Sequence, residues 1–458
     1  MGARTPSSLG AALVLLAACA SQPPAPPPAT PPPQPPPVAL ATSVPPASSP
    51  PSLPPAALTA PLSLDERAAR LHREAIVIDT HDDITTPILE HGFDLGKPDG
   101  VAATDLTKMR AGGISAEFFS IYVDEKFYDH PSSRTGGAAR RALDMIDVTY
   151  QQIERHSDAL VLATSADEIR RAKAAGKIAV LMGIEGGHAI ENSLGALREF
   201  YRLGVRYMTL THGESNDWAD SAGMATPPKP RHHGLSPFGE TVVGEMQRIG
   251  MLVDVSHVSD ETIEDVLRVA KAPIIASHSS ARALCDSARN LSDDELRGIA
   301  KNGGVVMVNF FTAYLDPKVA AAWPAFIKAH GKDFAAIEAK HLSARDERAA
   351  IEALGVGAFP KTPLATLVDH IEHVAKVAGV DHVGLGSDWD GAPTMPVGLE
   401  GMDGLPLITR ELLARGWSDE DVKKVLGENF LRVFAEAERF ARATGTTLSG
   451  DGSTKTIE

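Results

Sequence analysis

Two cysteines in 458 residues, Cys19 and Cys285, are too few for a disulfide framework, so the core must hold the fold. Basic residues are also short, 44 against 59 acidic ones, for a formal charge of −15. That balance leaves no broad basic surface of the kind nucleic acid or anionic lipid would need, and no nucleic-acid partner is expected. Past the first twenty residues no apolar run is long enough to cross a bilayer. No internal repeat is visible. No Gly-x-Gly-x-x-Gly follows the first predicted strand, which removes the main support for a dinucleotide-binding sheet. What is present, 43% hydrophobic and 22% charged residues, suits an enzyme with a large core.

The N-terminus has its own pattern. Met1 to Arg4 is a short positive start, and Leu9 to Ala18 is an apolar run too short for a spanning helix, which suits a signal peptide over residues 1–18. Leu16-Ala17-Ala18-Cys19 resembles the lipobox of bacterial lipoproteins, in which the cysteine is acylated and becomes the mature N-terminus. Ordinary cleavage near Ala18-Cys19-Ala20 is the alternative. Half of the chain's 34 prolines fall between positions 23 and 55, where the fixed φ and missing N–H forbid helix and sheet. Residues 19–60 are therefore expected to be a lipidated, extended tether. The protein would be an exported bacterial lipoprotein on the periplasmic or cell-surface side, touching the membrane only through that lipid. Cys285 would then be a free, buried thiol. The catalytic domain is expected over 61–442, with a polar tail over 443–458.

Between these ends, short β-branched runs alternate with helical patterns, the mark of βα units and a parallel sheet. Eight runs qualify: 75–81, 116–122, 178–185, 206–212, 252–257, 273–278, 305–310 and 382–388. Helix signals separate them. Ser236-Pro237 gives a cap and a first-turn proline before Phe238–Ile249, with Gly250 after it, and Ser292 with Glu295 forms a capping box before Leu296–Lys301. Eight units in roughly 330 residues favour a closed (β/α)8 barrel of the metallo-dependent hydrolase type, with a helical insertion (315–363) before the last strand. The runs end in His81-Asp82-Asp83, Glu185, His212, His257, His278 and Asp388. Barrel enzymes assemble their chemistry at the C-terminal ends of the strands, so six of eight ends bearing metal-capable groups predict one site there.

His81 and Asp83 are two apart and should face the same way on an extended backbone. His257 and His278 end consecutive strands, and Glu185 lies between the two groups inside Gly183-Ile184-Glu185-Gly186-Gly187-His188. A carboxylate can bridge two cations about 3.5–4 Å apart. Three histidines, one aspartate and a bridging glutamate are expected to form a dinuclear zinc-type centre, though manganese would fit the same geometry. Two cations sharing a water bring its pKa from about 15.7 toward 7, so that hydroxide can attack an amide carbonyl. His212 is placed to stabilise the oxyanion and Asp388 to protonate the leaving amine.

In order and combination, these stretches resemble the renal (membrane) dipeptidase family of metallopeptidases over about residues 70–438. They are Ile78–Asp83, Gly183–His188, Tyr207–His212, His233–Gly239, Val253–Ser259, Ala276–Ser280, Arg289-Asn290 and Gly386–Gly391. The resemblance implies two zinc ions per chain, one held by His81, Asp83 and Glu185 and the other by Glu185, His257 and His278. It places the oxyanion-side histidine on His212, the acid/base aspartate on Asp388, and the grip on a substrate carboxylate on Arg289 and Tyr314. A guanidinium fork suits a carboxylate because it makes two parallel hydrogen bonds. The implied substrate is a dipeptide, which in this family can carry a C-terminal D-residue, and homodimers are usual. Animal members carry disulfides and a C-terminal glycolipid anchor, which this chain lacks the cysteines and layout to match. The insertion is then a lid or a contact between subunits.

Two other functions compete. A barrel with the same metals could act as an N-acyl amino acid deacylase, lactonase or phosphotriesterase, but many of those bridge with a carbamylated lysine where Glu185 stands here. A non-catalytic surface lipoprotein would be expected to have lost a ligand, and none is missing. Asp79 and Asp390 read as structural partners, His232-His233 as a positioning loop, and Trp218 and Trp389 as packing.

Overall fold

In a computed structural model describing residues 62–129 and 137–444, the strands are buried along their length, apart from one half-buried position in two of them and two in a third. They are β1 (Ile78–Asp82), β2 (Ala116–Tyr122), β3 (Leu160–Leu162), β4 (Ile178–Glu185), β5 (Val205–Thr209), β6 (Leu252–Asp254), β7 (Ile275–Ala276), β8 (Val305–Val308) and β9 (Val383–Leu385). All pair in parallel, in the order β1-β2-β4-β5-β6-β7-β8-β9. Parallel strands covered on both faces read as continuous apolar runs, as Ile178–Met182 does in β4. Alternate residues go to two separate clusters. Ile78, Phe118, Leu181, Tyr207, Ile275 and Met307 meet inside the barrel, with Phe430 and Phe434 from the helix Asn429–Ala443. Their neighbours Val77, Phe119, Val180, Met208, Ala276 and Val306 pack outward beneath the helices.

The eight expected barrel strands are present, and β3 is an addition. It pairs with the first residues of β4 (Leu160 with Ile178), while β5 takes up β4 from Met182 onward. The barrel closes between β1 and β9. There Asp388 N donates to His81 O (3.0 Å), Asp83 N to Trp389 O (2.9 Å), and Ser387 N to the Asp79 carboxylate (2.7 Å).

The helix signals hold with small shifts. Ser236 caps Pro237–Ile249, and Gly250 ends it at φ +88°. The Ser292/Glu295 box starts a helix at Asp293 and not at Leu296. The insertion contains helices Pro317–Glu338 and Ala344–Ala353. Its Trp323 packs against Phe311 and Tyr314, which precede it after β8. Cys285 is buried and free, and burial pushes its thiol up to about 12. Cys19, the proline segment and the tail after Thr444 lie outside the described residues. No described helix is long and apolar enough to cross a membrane.

Candidate metal centre

One correction concerns where the strands stop. The ladders of β5, β6, β7 and β9 end two or three residues before the functional side chains, at Thr209, Asp254, Ala276 and Leu385. His257 (φ +66°) and Asp388 (φ +68°) adopt the left-handed conformation, which a strand cannot contain. Such backbone in a non-glycine residue persists only where its surroundings over-determine it, and it clusters at functional sites. The turns aim both side chains over the mouth instead of along the wall.

The expected ligands do converge. Glu185 Oε1 lies 2.9 Å from His257 Nε2, 3.3 Å from His278 Nε2 and 3.5 Å from His81 Nε2. Asp83 Oδ2 is 3.7 Å from His81 Nε2, and the Nε2 atoms of His257 and His278 are 2.8 Å apart. Donor atoms form three overlapping triads: His81–Glu185–His278, Glu185–His212–His257 and His81–Asp83–Asp388. His212 and Asp388 thus join the five ligands in one cluster.

These residues fit metal binding. Asp83 Oδ1 and His81 Nε2 are fully buried with no hydrogen-bond partner, an arrangement that is costly unless a positive ion faces them. Burial, and then the Arg289 guanidinium for His257 and the His81 ring for His278, hold these imidazoles well below their usual pKa, in the neutral form that ligation needs. Burial works to raise the Glu185 carboxyl, but the His81 and His212 rings and hydrogen bonds from His257 and His278 hold it well down, so it stays ionised. The other ring nitrogens are braced: His81 Nδ1 to the Tyr207 hydroxyl (2.8 Å) and His278 Nδ1 to Ser277 Oγ (2.8 Å). Such partners fix ring orientation. Tyr207 reaches His81 because Gly183 lies beside its ring; a Cβ there would sit 2.0 Å from Tyr207 Cζ.

Asp388 accepts a hydrogen bond from Asn309 Nδ2 (3.0 Å). Burial, with the neighbouring Asp83 and Glu185 carboxylates, outweighs the His81 charge and raises its carboxyl to about 7. His212 pairs with Glu125 (2.8 Å); burial would lower the ring, but the Glu125 and Glu185 carboxylates raise it to about 9.

A cavity of about 320 Å³ opens over the cluster, at the small end for ligand sites. Asp83, Glu185, His212, His257 and Asp388 form its polar floor, and Met224, Phe311, Tyr314, Trp323 and Pro393 its apolar walls. Arg289 is not among the lining residues. It is buried 5.3 Å from the Tyr314 ring, with long bonds to Ser279 Oγ (3.4 Å) and His278 O (3.3 Å) and an unpartnered Nε. The Tyr314 hydroxyl is buried and unpartnered too. The pair thus holds unused donors beside the cavity.

Trp218 and Trp389 are fully buried away from the cavity. Asp79 serves Ser387 and His81 N, and Asp390 accepts from Ala103 N and Thr104 N. His232 Nε2 contacts Asn216 O in the loop. The sequence reading missed Glu125, Asn309 and Trp323. Asn309 follows a strand and could have been found by the strand-end argument, whereas nothing in Asp124-Glu125-Lys126 distinguishes it from a solvated charge run.

The family model for membrane dipeptidase (peptidase family M19) matches residues 65–447. Dipeptidase 3 of Rattus norvegicus is 34% identical over 393 residues, 82% of this chain and 68% of that protein. Among solved structures, the probable dipeptidase PvdM from Pseudomonas aeruginosa superposes with a TM-score of 0.71 at 27% identity, over 82% of this chain and 99% of that one. A metallopeptidase from Rhodobacter sphaeroides, liganded with a phosphinate mimic of the dipeptide L-Ala-D-Ala, gives 0.63 at 27% identity over 79% and 99%. The chain belongs to the membrane dipeptidase family, peptidase family M19, and is a metallo-dipeptidase built on a (β/α)8 barrel.

Proposed function

We propose that this enzyme is a dinuclear zinc dipeptidase that accepts a D-residue at the C-terminal position. The observation behind the metal count is Glu185 Oε1, within 3.5 Å of three imidazole nitrogens from three different strand ends. His81, Asp83 and Glu185 would hold one ion, and Glu185, His257 and His278 the other. When bound, two such ions supply an activated water and polarise the scissile carbonyl.

The chain's own groups do the rest. Arg289 and Tyr314 hold the substrate's terminal carboxylate through their spare donors, which makes the enzyme measure from the C-terminus. His212 faces the carbonyl oxygen as negative charge develops there. Asp388, balanced near neutrality, takes a proton at its carboxyl and passes it to the leaving amine. The walls exclude bulk water, which strengthens each contact. The D-residue is supported by the ligand of the Rhodobacter sphaeroides relative. For localisation we propose export and acylation at Cys19, supported by Leu16-Ala17-Ala18-Cys19 alone.

Zinc-reconstituted protein should carry about two equivalents by elemental analysis, as a dinuclear site requires. It should cleave L-L and L-D dipeptides while leaving tripeptides intact. A metal content of zero ends the mechanism, and faster turnover of N-acyl amino acids would transfer the site to deacylase chemistry.

A further inference from the structure

Glu125 follows β2 by three residues, in a segment pinned at Val123: Val123 N donates to Glu185 O (3.2 Å), and Val123 O meets His188 Nε2 (2.8 Å). From that anchored position one carboxylate oxygen, Glu125 Oε1, accepts from both His212 Nδ1 (2.8 Å) and Gly213 N (2.7 Å). The His212 ring lies between two other rings, 4.8 Å from Tyr122 and 4.5 Å from His257. Its backbone carbonyl accepts from Ser221 Oγ. These tilted ring contacts restrict the plane of the imidazole, but leave open which nitrogen faces the cavity, since a ring flip exchanges them. Among the described residues, the hydrogen bond to Glu125 is the one that tells the two nitrogens apart.

We infer that Glu125 is a positioning residue for peptide hydrolysis, holding His212 by its Nδ1–H so that Nε2 is the nitrogen presented to the scissile carbonyl. This rests on the reading of His212 given under Proposed function. The bond also removes a competing arrangement: with Nδ1 committed, the ring cannot flip to offer it to the cation cluster, where His212 already sits with Glu185 and His257. A carboxylate suits the task better than a backbone carbonyl, because a charge-assisted bond is stronger and one oxygen serves ring and loop together.

The test is a double-mutant cycle on zinc-reconstituted, full-length enzyme, with metal content and thermal unfolding recorded for every variant. Glu125→Ala should lower kcat about 10- to 100-fold, with KM changed less than about 3-fold. In a His212→Ala background the same change should cost less than about 2-fold, because its whole effect passes through the missing ring. Glu125→Gln offers an amide oxygen to the same Nδ1–H, so it should stay within about 5-fold of wild type. Metal-free protein labelled with 15N-histidine supplies a readout independent of turnover: a protected His212 Nδ1–H signal, kept in Glu125→Gln and lost in Glu125→Ala. Losses that multiply in the double variant, or a Gln variant as poor as the Ala one, overturn the proposal. So does normal kcat in Glu125→Ala when His212→Ala is impaired. A fully active His212→Ala would instead sink the reading of His212 itself, and this inference with it.

Discussion

At the barrel rim His81, His257 and His278 are at most 3% exposed, whereas the insertion helix Ala344–Ala353 buries none of its residues. Rim side chains are braced by their neighbours: Tyr207 and Asn309, from other βα units, hold His81 and Asp388, and the adjacent Ser277 holds His278. The insertion reaches the cavity through Trp323, backed by its own Phe326 and Phe359 and by Phe311 from the segment after β8. The difference separates two demands. Ligands tolerate little displacement, so they sit on strands whose neighbours fix them. A wall that selects side chains needs only shape, and can be carried by a segment that rests on the barrel's loops.

Three substitutions sharpen that contrast. Glu185→Gln keeps size and removes the shared charge, so kcat should fall by about 10³-fold or more while the unfolding temperature moves only a few degrees. Wild-type-like turnover would show that the centre does not need that carboxylate. Arg289→Ala should cost about 10²-fold in kcat/KM on free dipeptides, but much less on C-terminally amidated ones. Equal losses on both would remove the clamp. Trp323→Ala should leave zinc content unchanged and alter KM for bulky side chains by up to about 10-fold, with L-Ala-D-Ala barely affected. If Trp323→Ala instead lowers metal affinity, insertion and rim are coupled and the contrast fails.

Much of this is legible in the sequence. Strands covered on both faces show in a sequence as apolar runs, as Ile178–Met182 does, and the functional residues stand where those runs end. What escaped did so for physical reasons. Leu160–Leu162 is three residues long, paired along one edge only, and follows an 18-residue helix whose own apolar spacing runs close to it. Glu125 stands in a charged loop, and its value comes from a partner 87 positions away. Trp323 is placed by aromatic packing, which has no period to follow. The strands themselves were drawn too long at their functional ends, because a left-handed turn at His257 or Asp388 leaves no mark on composition.

The seam between β1 and β9 has a consequence for how the site comes into being. Asp79 and Ser387, joined there, are 308 positions apart, so the strand holding His81 has a neighbour on one edge only until nearly the whole chain has been made. Contacts of such separation form late, after the entropy of closing the loop has been met. Nascent or truncated chains ending before Gly386 should therefore have no settled pocket for an ion, and loading with metal becomes a last step of maturation.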